Sequence, residues 1–449
     1  MRILLIAYEF PPSPSPQSLR WTYLSRELDS LGHEIHVLTA DLGGETPGLP
    51  ELPDTIRVHR TFPGPVRGML SLLRKRQQRK RDAGLLPDAP GDAAPAAGQP
   101  QAIRPPRNWK QRISEAIQTV AQFVHFPDIR GEWRFWARRG LRRTLDAVQP
   151  DVVVSSHEPA TTIELALIAK RRGFHWVSDI GDPVLASYTP RRWRARSARI
   201  ERAMCRHADL LTVTTDATAA LMQHRHGRER PMLVLPQGFD DRRGEPTEGV
   251  ALFDADRLEL LYTGSFYRFR RPDALLEALQ ANPALRLNIA SIAVPESVLA
   301  AASRRPDSIR LLGFLPHTAI LDLQRAADVL VNIANDDATQ IPGKVNEYLG
   351  ARRPILNLGA GGDPTSTMIA SLRRGYNCAN TPDAIGALLT RLAQAKQASR
   401  LDDGLDLSPA PILDRSWRSI AARLDTYLQA LAPGEIHADA VREPAATRH

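Results

Sequence analysis

The chain has 449 residues, of which 43% are hydrophobic and 24% charged, so it is long enough for two globular domains and is not a low-complexity or fibrous protein. The net charge of +9 favours an anionic partner, such as nucleotide phosphates or an acidic lipid surface, although a coding bias toward Arg and Ala explains the charge equally well. The two cysteines, Cys205 and Cys378, have no metal-ligand spacing, and no run of about 18 apolar residues predicts a membrane-spanning helix.

The first 39 residues predict a strand, a helix and a second strand. Residues 2–8 are apolar without alternation, as in a strand that is covered on both faces. A proline-rich loop follows, then a helix over about 19–31 and a strand over 34–39. The loop lies at the carboxyl end of the first strand, where open parallel sheets bind ligands. Arg20, near the start of the helix, is either an anion contact there or a solvated helix residue.

The regular pattern stops near residue 64 and returns near residue 130. A basic run from Arg67 to Arg81 has leucines interleaved, and residues 82–106 are rich in Ala, Pro, Gly and Gln and are predicted to be disordered. Residues 109–126 regain amphipathic spacing. We interpret 64–130 as an insertion that is either an arm on the acceptor or membrane side or a solvated tether.

A histidine follows the next clear strand. Residues 152–156 read as a buried strand, and His157 comes directly after it, at the edge of the sheet that also carries the first loop. A lone histidine is usually structural, but this position favours a functional role. Further strand and helix patterns run to about residue 240, and the polar segment 242–249 is typical of an interdomain linker.

The second half repeats the alternation of strands and helices. A strand over 258–262 leads to a turn at Gly264 and to a basic loop with three arginines ahead of a helix that starts near residue 273, an arrangement suited to a pyrophosphate. Residues 340–358 predict a loop, a helix over 344–350 and a buried strand. Glu347 on that helix is well placed for a nucleotide ribose. The last helix covers 417–431, and a disordered tail follows.

The whole pattern predicts an α/β protein with two Rossmann-like, doubly wound parallel-sheet domains that face a central cleft. The predicted N-terminal domain covers residues 1–240, with the insertion at about 64–130. The second domain covers 250–415, followed by a C-terminal helix over 416–432 and the tail over 433–449. Neither domain contains a Gly-x-Gly-x-x-Gly fingerprint.

Several segments, in this order, resemble one family. They are MRILLIAYEFPP, PDVVVSSHEPATT, VSDIGDP, HADLLTVTT, VLPQGFD, LLYTGSF, IRLLGFLPH and GKVNEYLGARRPILNLG. The chain is similar to GT-B glycosyltransferases, in particular to the bacterial retaining family 4 enzymes that build surface polysaccharides. The resemblance implies the GT-B fold, with an acceptor domain first and a nucleotide-sugar donor domain second.

The resemblance also implies residue roles. Glu347 matches the glutamate that binds the donor ribose, Arg271 matches the basic residue at the donor phosphates, and His157 matches the cleft histidine near the sugar and the acceptor. We therefore assign His157 and Arg271 to catalysis and five residues to donor binding: Gly264, Arg268, Arg270, Lys344 and Glu347. Three features depart from the family, namely Thr339 in place of a glutamate, Ser265 in place of an arginine, and the first loop SPSPQS in place of a Gly-Gly pair.

The implied function is sugar transfer from a nucleotide-sugar donor to a glycan or lipid-linked acceptor, with retention of configuration and without a metal or a cofactor. The chain is expected to be cytoplasmic, with peripheral contact to the anionic inner face of the plasma membrane, and not to bind nucleic acid. Two alternatives remain open: a nucleotide-sugar epimerase of the same fold, and a catalytically degenerate transferase that acts as a binding or scaffold protein.

Overall fold

The computed structural model describes residues 1–44, 49–82, 125–186, 189–242, 253–266, 270–279, 283–334, 341–359 and 361–431. Four predicted segments lie mostly or wholly outside these ranges: the disordered stretch 82–106, the amphipathic segment 109–126, the linker 242–249 and the tail 433–449. The same is true of Arg268 and Thr339.

The N-terminal half is built on a parallel sheet. Seven strands of the described chain form it in the order β3-β2-β1-β4-β5-β6-β7, and each neighbouring pair is parallel. The central strands are apolar because helices cover both of their faces. The strands are β1 (Arg2–Ile6), β2 (Glu34–Ala40), β3 (Arg57–Thr61), β4 (Val152–His157), β5 (His175–Ile180), β6 (Leu210–Val213) and β7 (Met232–Val234).

The helices of this half are α1 (Pro16–Ser30), α2 (Pro65–Asp82), α3 (Arg134–Val148), α4 (Thr161–Arg171), α5 (Arg194–His207) and α6 (Asp216–His226), with short 3₁₀ turns at Ile129–Trp133 and Arg191–Trp193. Helix α1 begins three residues before its predicted start. Its first turn is favoured by Pro16 and by Ser15, whose hydroxyl accepts a hydrogen bond from Ser18 N at 3.1 Å.

Helix α2 lies inside the segment 64–130, which we interpreted as an insertion and for which we predicted no helix at this position. Its second half is rich in basic residues, and Met69, Leu72 and Leu73 are exposed, so the apolar pattern of a packed helix is missing. The carboxylate of Glu132 fixes its start by accepting hydrogen bonds from the backbone N–H groups of Val66 and Arg67, at 3.0 and 2.7 Å. Contacts with the rest of the domain therefore stabilise helix α2, which the apolar pattern of its sequence did not predict.

The C-terminal half has a second parallel sheet, with six described strands in the order β10-β9-β8-β11-β12-β13. Its strands are β8 (Leu258–Thr263), β9 (Leu285–Ala290), β10 (Ile309–Gly313), β11 (Val329–Ile333), β12 (Ile355–Leu358) and β13 (Gly375–Cys378). Its helices are α7 (Asp273–Ala278), α8 (Glu296–Arg304), α9 (His317–Ala326), α10 (Gly343–Ala351), α11 (Pro364–Ser371) and α12 (Pro382–Gln397). The prediction of two doubly wound α/β domains is confirmed.

The last helix, α13 (Trp417–Leu431), follows a 3₁₀ turn at Ala410–Arg415 and returns to the N-terminal half. Its buried residues Trp417, Ile420, Leu424 and Leu428 join the core beneath α1 and the first sheet. Phe239 supports this return, because its N–H donates to Arg415 O at 3.3 Å and its carbonyl accepts from Trp417 N at 3.0 Å. The sequence predicted this helix as a separate segment, whereas it completes the N-terminal core.

Candidate functional site

The turn after β8 and the first turn of α10 lie side by side at the carboxyl edge of the second sheet. Gly264 has a φ of +98°, a conformation that favours glycine, and its N–H donates to Ala290 O at 3.0 Å. A Cβ at this position would lie 3.8 Å from Cδ of Lys344, so the two residues are close neighbours. Both were assigned to donor binding from the sequence.

The ammonium of Lys344 is buried and has no hydrogen-bond acceptor among the described residues. It lies over the rings of Tyr262 and Tyr348, 3.7 and 5.7 Å from their centroids. Burial lowers the pKa of Lys344 well below its ordinary value, nearby Arg270 lowers it further, and Glu347 partly opposes the shift. A buried cation beside a second cation is stabilised by an anionic ligand.

Two of the three predicted phosphate-contacting arginines are described, and they differ in placement. Arg270 is buried, and its Nη1 donates to Ser265 O at 3.3 Å. The side chain of Arg271 is exposed, and its backbone carbonyl accepts from Asn380 Nδ2 at 3.4 Å. The inward-facing arginine beside Lys344 is therefore Arg270.

Glu347 lies one helical turn after Lys344, with its side chain 25% exposed. Its Oε2 is 3.4 Å from Nε2 of Gln324, and its Oε1 is 4.0 Å from Nε2 of His317. Tyr348, the next residue, fastens α10 to β8, because its hydroxyl accepts from the N–H of Thr263 at 3.0 Å. The carboxylate is thus held by a fixed helix, and part of it stays open to solvent.

His317 connects this cluster to the N-terminal half. Its Nε2 is 3.3 Å from the hydroxyl of Tyr23 on α1, and the Tyr23 ring stacks on Trp417 at a centroid distance of 5.5 Å. We assigned no role to His317 or Tyr23 from the sequence. The signal was present for His317, because it begins a helix just after β10, at the same edge of a parallel sheet that singled out His157.

His157 ends β4 in the N-terminal half and is only 4% exposed. Burial lowers the pKa of its imidazole, and its Nδ1 has no partner among the described residues. The next residue, Glu158, accepts from Nη2 of Arg130 at 3.0 Å, and Arg130 also contacts Asp128 at 2.6 Å. His157 therefore lies in a desolvated, charged pocket, apart from the Lys344 cluster.

Arg20 is neither an anion contact nor a solvated residue. It is fully buried, and its Nε and Nη2 donate to the two carboxylate oxygens of Asp179 at 3.0 and 2.9 Å. Trp21 Nε1 and Thr212 Oγ1 donate to the same carboxylate, at 2.9 and 2.7 Å. The interpretation of Arg20 as a ligand contact was wrong, because its charge is used to join α1 to β5.

The structure brings Gly264, Arg270, Lys344 and Glu347 together, places Arg271 at the surface nearby, and leaves His157 in the other half. Within the described ranges, no group of three or more His, Cys, Asp or Glu side chains could hold a metal ion. None of the helices described is both long and apolar enough to cross a bilayer.

Two parallel-sheet domains in tandem, with a last helix that packs on the first domain, are the architecture of the GT-B fold. Solved structures with this fold are similar to the chain. Sucrose-phosphate synthase from Thermosynechococcus elongatus matches with a TM-score of 0.65 and 14% identity over 96% of this chain and 98% of that one. WaaG, a glycosyltransferase involved in lipopolysaccharide biosynthesis, matches with a TM-score of 0.57 and 15% identity over 96% and 100%. The predicted GT-B fold is confirmed.

Parts of the chain are also similar in sequence to known glycosyltransferases. Residues 91–243 match the model of Glycosyltransferase Family 4. A D-inositol 3-phosphate glycosyltransferase from Geodermatophilus obscurus is 28% identical over 222 residues, which are 44% of this chain and 49% of that protein, so the match spans about half of the relative's length. The fold is therefore GT-B, and the parts of the chain that these matches cover are similar to family 4 glycosyltransferases, the family that the sequence motifs resemble.

Proposed function

We propose that this protein transfers a sugar from a nucleotide-sugar donor to a glycan or lipid-linked acceptor in the synthesis of a surface polysaccharide. The observation that carries the proposal is the cluster of Lys344, Arg270 and Glu347 at the carboxyl edge of the second sheet. Two cations suit a diphosphate, and a carboxylate one helical turn away suits the two hydroxyls of a ribose. The family resemblance supports the same division into a donor half and an acceptor half.

In this proposal, the C-terminal half holds the leaving group. Departure of a nucleoside diphosphate leaves positive charge on the sugar and builds negative charge on the phosphate, and fixed cations stabilise that charge without a metal. Lys344 and Arg270 take this role together with Arg271, and the sequence assigns Arg268 to it as well. Glu347 positions the ribose, and His157 faces the sugar and the acceptor from the other half.

Retention of configuration and independence of metal are part of the proposal, and both are inferred from the family resemblance. Turnover should persist in EDTA, and the anomeric proton of the product should show the coupling constant of the donor sugar by NMR. Loss of turnover in EDTA with recovery in manganese would contradict the first point. An inverted anomeric coupling would contradict the second.

We also propose peripheral contact with an anionic membrane through α2. Its exposed apolar residues Met69, Leu72 and Leu73 share one helical face with Arg76 and Lys80, at spacings of three, four, seven and eleven residues. Apolar side chains flanked by cations are typical of a helix that lies in a lipid interface. Co-sedimentation with phosphatidylglycerol vesicles should fall in a Leu72→Ser/Leu73→Ser variant, and equal binding of variant and wild type would refute this surface.

A donor screen tests the central proposal. Thermal shifts with UDP, GDP and ADP should identify one stabilising base, because a ligand of the native state raises the melting temperature. The matching nucleotide sugars should then be hydrolysed slowly when no acceptor is added. Conversion of the sugar into an epimer would instead support the epimerase, and the absence of both binding and turnover would support the scaffold protein.

A further inference from the structure

The carboxylate of Glu347 is flanked by two side chains of helix α9, one near each of its oxygens. His317 and Gln324 are seven residues apart and therefore lie on the same face of the helix. Nε2 of His317 is 4.0 Å from Oε1 of Glu347, and Nε2 of Gln324 is 3.4 Å from Oε2. Helix α9 therefore restricts the orientation of the Glu347 carboxylate.

Gln324 is fixed from within the C-terminal half. Its side chain is fully buried, and its Nε2 also donates to Oγ1 of Thr263 on β8, at 3.3 Å. The hydroxyl of Thr263 is in turn 3.0 Å from that of Tyr348 on α10, the helix that carries Glu347. All of these contacts lie within one half of the protein.

His317 is fixed from the other half. It is mostly buried, and its Nε2 lies 3.3 Å from the hydroxyl of Tyr23 on α1. One ring nitrogen therefore faces both Glu347 and Tyr23, which belong to different halves. A carboxylate favours the tautomer that carries its proton on the nitrogen facing it, so Nε2–H is a donor that Glu347 and Tyr23 share.

Tyr23 is held at the place where the chain crosses between the two halves. Its ring stacks on that of Trp417, with 5.5 Å between the centroids and 7° between the planes, and the guanidinium of Arg26 lies over it at 4.9 Å. Arg26 also donates to the carboxylate of Asp240, at 2.9 and 3.2 Å. Trp417 lies where the chain returns from the C-terminal half, and Asp240 lies where it leaves for that half. The position of the Tyr23 hydroxyl is thus tied to both crossings.

We propose that His317 is a positioning residue for Glu347 and that the Tyr23 hydroxyl orients it, so that the affinity of the C-terminal half for a ribose depends on a residue of the N-terminal half. The inference rests on the proposed function, in which Glu347 binds the ribose hydroxyls. Without the Tyr23 contact, the imidazole and the carboxylate have more orientations, and a bound ribose must order them. By linkage, a nucleotide with an intact ribose favours the state in which Tyr23 and His317 are in contact.

The first test is isothermal titration calorimetry with UDP, GDP and ADP. Tyr23→Phe keeps the ring that stacks on Trp417 and removes only the hydroxyl. For the nucleotide that binds the wild type, Tyr23→Phe should weaken binding about two- to tenfold, the range for one neutral hydrogen bond. Tyr427→Phe, which removes a hydroxyl on α13, should bind like the wild type. An unchanged affinity in Tyr23→Phe, or the same loss in Tyr427→Phe, would overturn the proposal.

The 2′,3′-dideoxy form of the same nucleotide separates the positioning of Glu347 from a general effect on the structure. This form lacks the hydroxyls that Glu347 binds, so the wild type and Tyr23→Phe should bind it with equal affinity. A loss of equal size with both nucleotides would contradict the proposal, because the Tyr23 hydroxyl would then act on binding without acting through the ribose.

Variants of His317 test the step between Tyr23 and Glu347. His317→Phe should lose at least as much affinity as Tyr23→Phe, and adding Tyr23→Phe to it should cause no further loss. His317→Gln keeps a nitrogen donor, and its affinity should lie closer to that of the wild type than to that of His317→Phe. Additive losses in the double variant would show that the two residues act separately and would refute the coupling.

Failure of this inference is distinguishable from failure of the proposed function. If Glu347→Gln shows a loss that depends on the ribose hydroxyls and Tyr23→Phe does not, the coupling is refuted and the donor site stands. If the protein binds none of the three nucleotides, the proposed function and this inference both fail.

Discussion

The ammonium of Lys344 lies 3.7 Å from the centre of the Tyr262 ring and has no hydrogen-bond acceptor in the described chain. A desolvated cation over an aromatic ring gains about 2 kcal/mol, which is less than the cost of burying an unpaired ammonium. Arg270 adds repulsion, and Glu347 offsets only part of it. The buried ammonium of Lys344 therefore lowers the stability of the free protein, and a bound diphosphate would offset this loss.

Replacing Lys344 with Met should separate stability from binding. At neutral pH we expect Lys344→Met to melt about 2–4 °C higher than the wild type without nucleotide, because the buried ammonium is removed. Affinity for the stabilising nucleoside diphosphate should fall about 10- to 100-fold, which is the loss of one charged hydrogen bond. Differential scanning fluorimetry and isothermal titration calorimetry measure the two effects.

The same variant has a pH signature. The folded pKa of Lys344 is lowered from its ordinary value of 10.5, so the unfolded state binds more protons between the two values. The wild type should gain stability as pH rises from the folded pKa toward 10.5, and the advantage of Lys344→Met should shrink accordingly. Lys80→Met, at an exposed position, should leave both stability and nucleotide affinity unchanged. A stability difference independent of pH would argue against the depressed pKa.

The role of Glu347 can be tested without knowing the sugar. If its carboxylate binds the ribose hydroxyls, Glu347→Gln should weaken binding of the nucleoside diphosphate by about 1.5–3 kcal/mol. The wild type should lose a similar amount of binding free energy when the nucleotide is replaced by its 2′,3′-dideoxy form. Glu347→Gln should bind the dideoxy form almost as well as it binds the normal nucleotide. Titration of both proteins with both nucleotides completes the double-mutant cycle. Additive losses would show that Glu347 acts elsewhere.

The ion pair of Arg20 and Asp179 should matter for stability and not for ligands. Both side chains are fully buried, and Asp179 accepts four hydrogen bonds. Arg20→Met should lower the free energy of unfolding by about 3–5 kcal/mol, because it leaves an unpaired buried carboxylate, and Arg20→Met/Asp179→Asn should recover part of that loss. Urea unfolding measures both. Nucleotide affinity should be unchanged in any variant that remains folded.

Much of the fold was predictable because buried parallel strands leave a strong apolar signal. The last helix, α13, has the bounds 417–431 that the sequence predicted. Helix α2 was missed because its first turn is completed by Glu132, which is distant in sequence. The packing of α13 on the first domain was missed for a related reason, since an amphipathic pattern shows that a helix packs but not against which domain.

The candidate site was predicted less completely than the fold. Motif position pointed to Lys344 and Glu347, which the structure places one turn apart. The sequence could not distinguish Arg270 from Arg271, because neighbouring loop residues point in directions that only the tertiary structure defines. The link from Tyr23 to His317 joins residues 294 positions apart in different domains, and no local pattern encodes such a pair.

Two stacked histidines at the edge of the first sheet predict a loss of stability in mild acid. Nδ1 of His36 lies 3.0 Å from Nε2 of His59, and His36 also contacts Glu34. Burial lowers the pKa of His59 below its ordinary value of 6.5, and His36 and Arg57 lower it further, so the native state resists a proton that the unfolded chain accepts. Stability should therefore be fully present above about pH 6.5 and should fall as the pH drops toward the folded pKa.

His59→Phe, which keeps a ring in the stack and removes the titrating group, should flatten this part of the pH profile. Urea unfolding at pH 7.5 and at pH 5 provides the measurement, and His224→Gln, at an exposed position on α6, serves as the control. The wild type and His224→Gln should lose more stability between the two pH values than His59→Phe. His59→Phe lacks the imidazole that takes up a proton on unfolding. An equal loss of stability in all three proteins would therefore show that acid acts on groups other than His59.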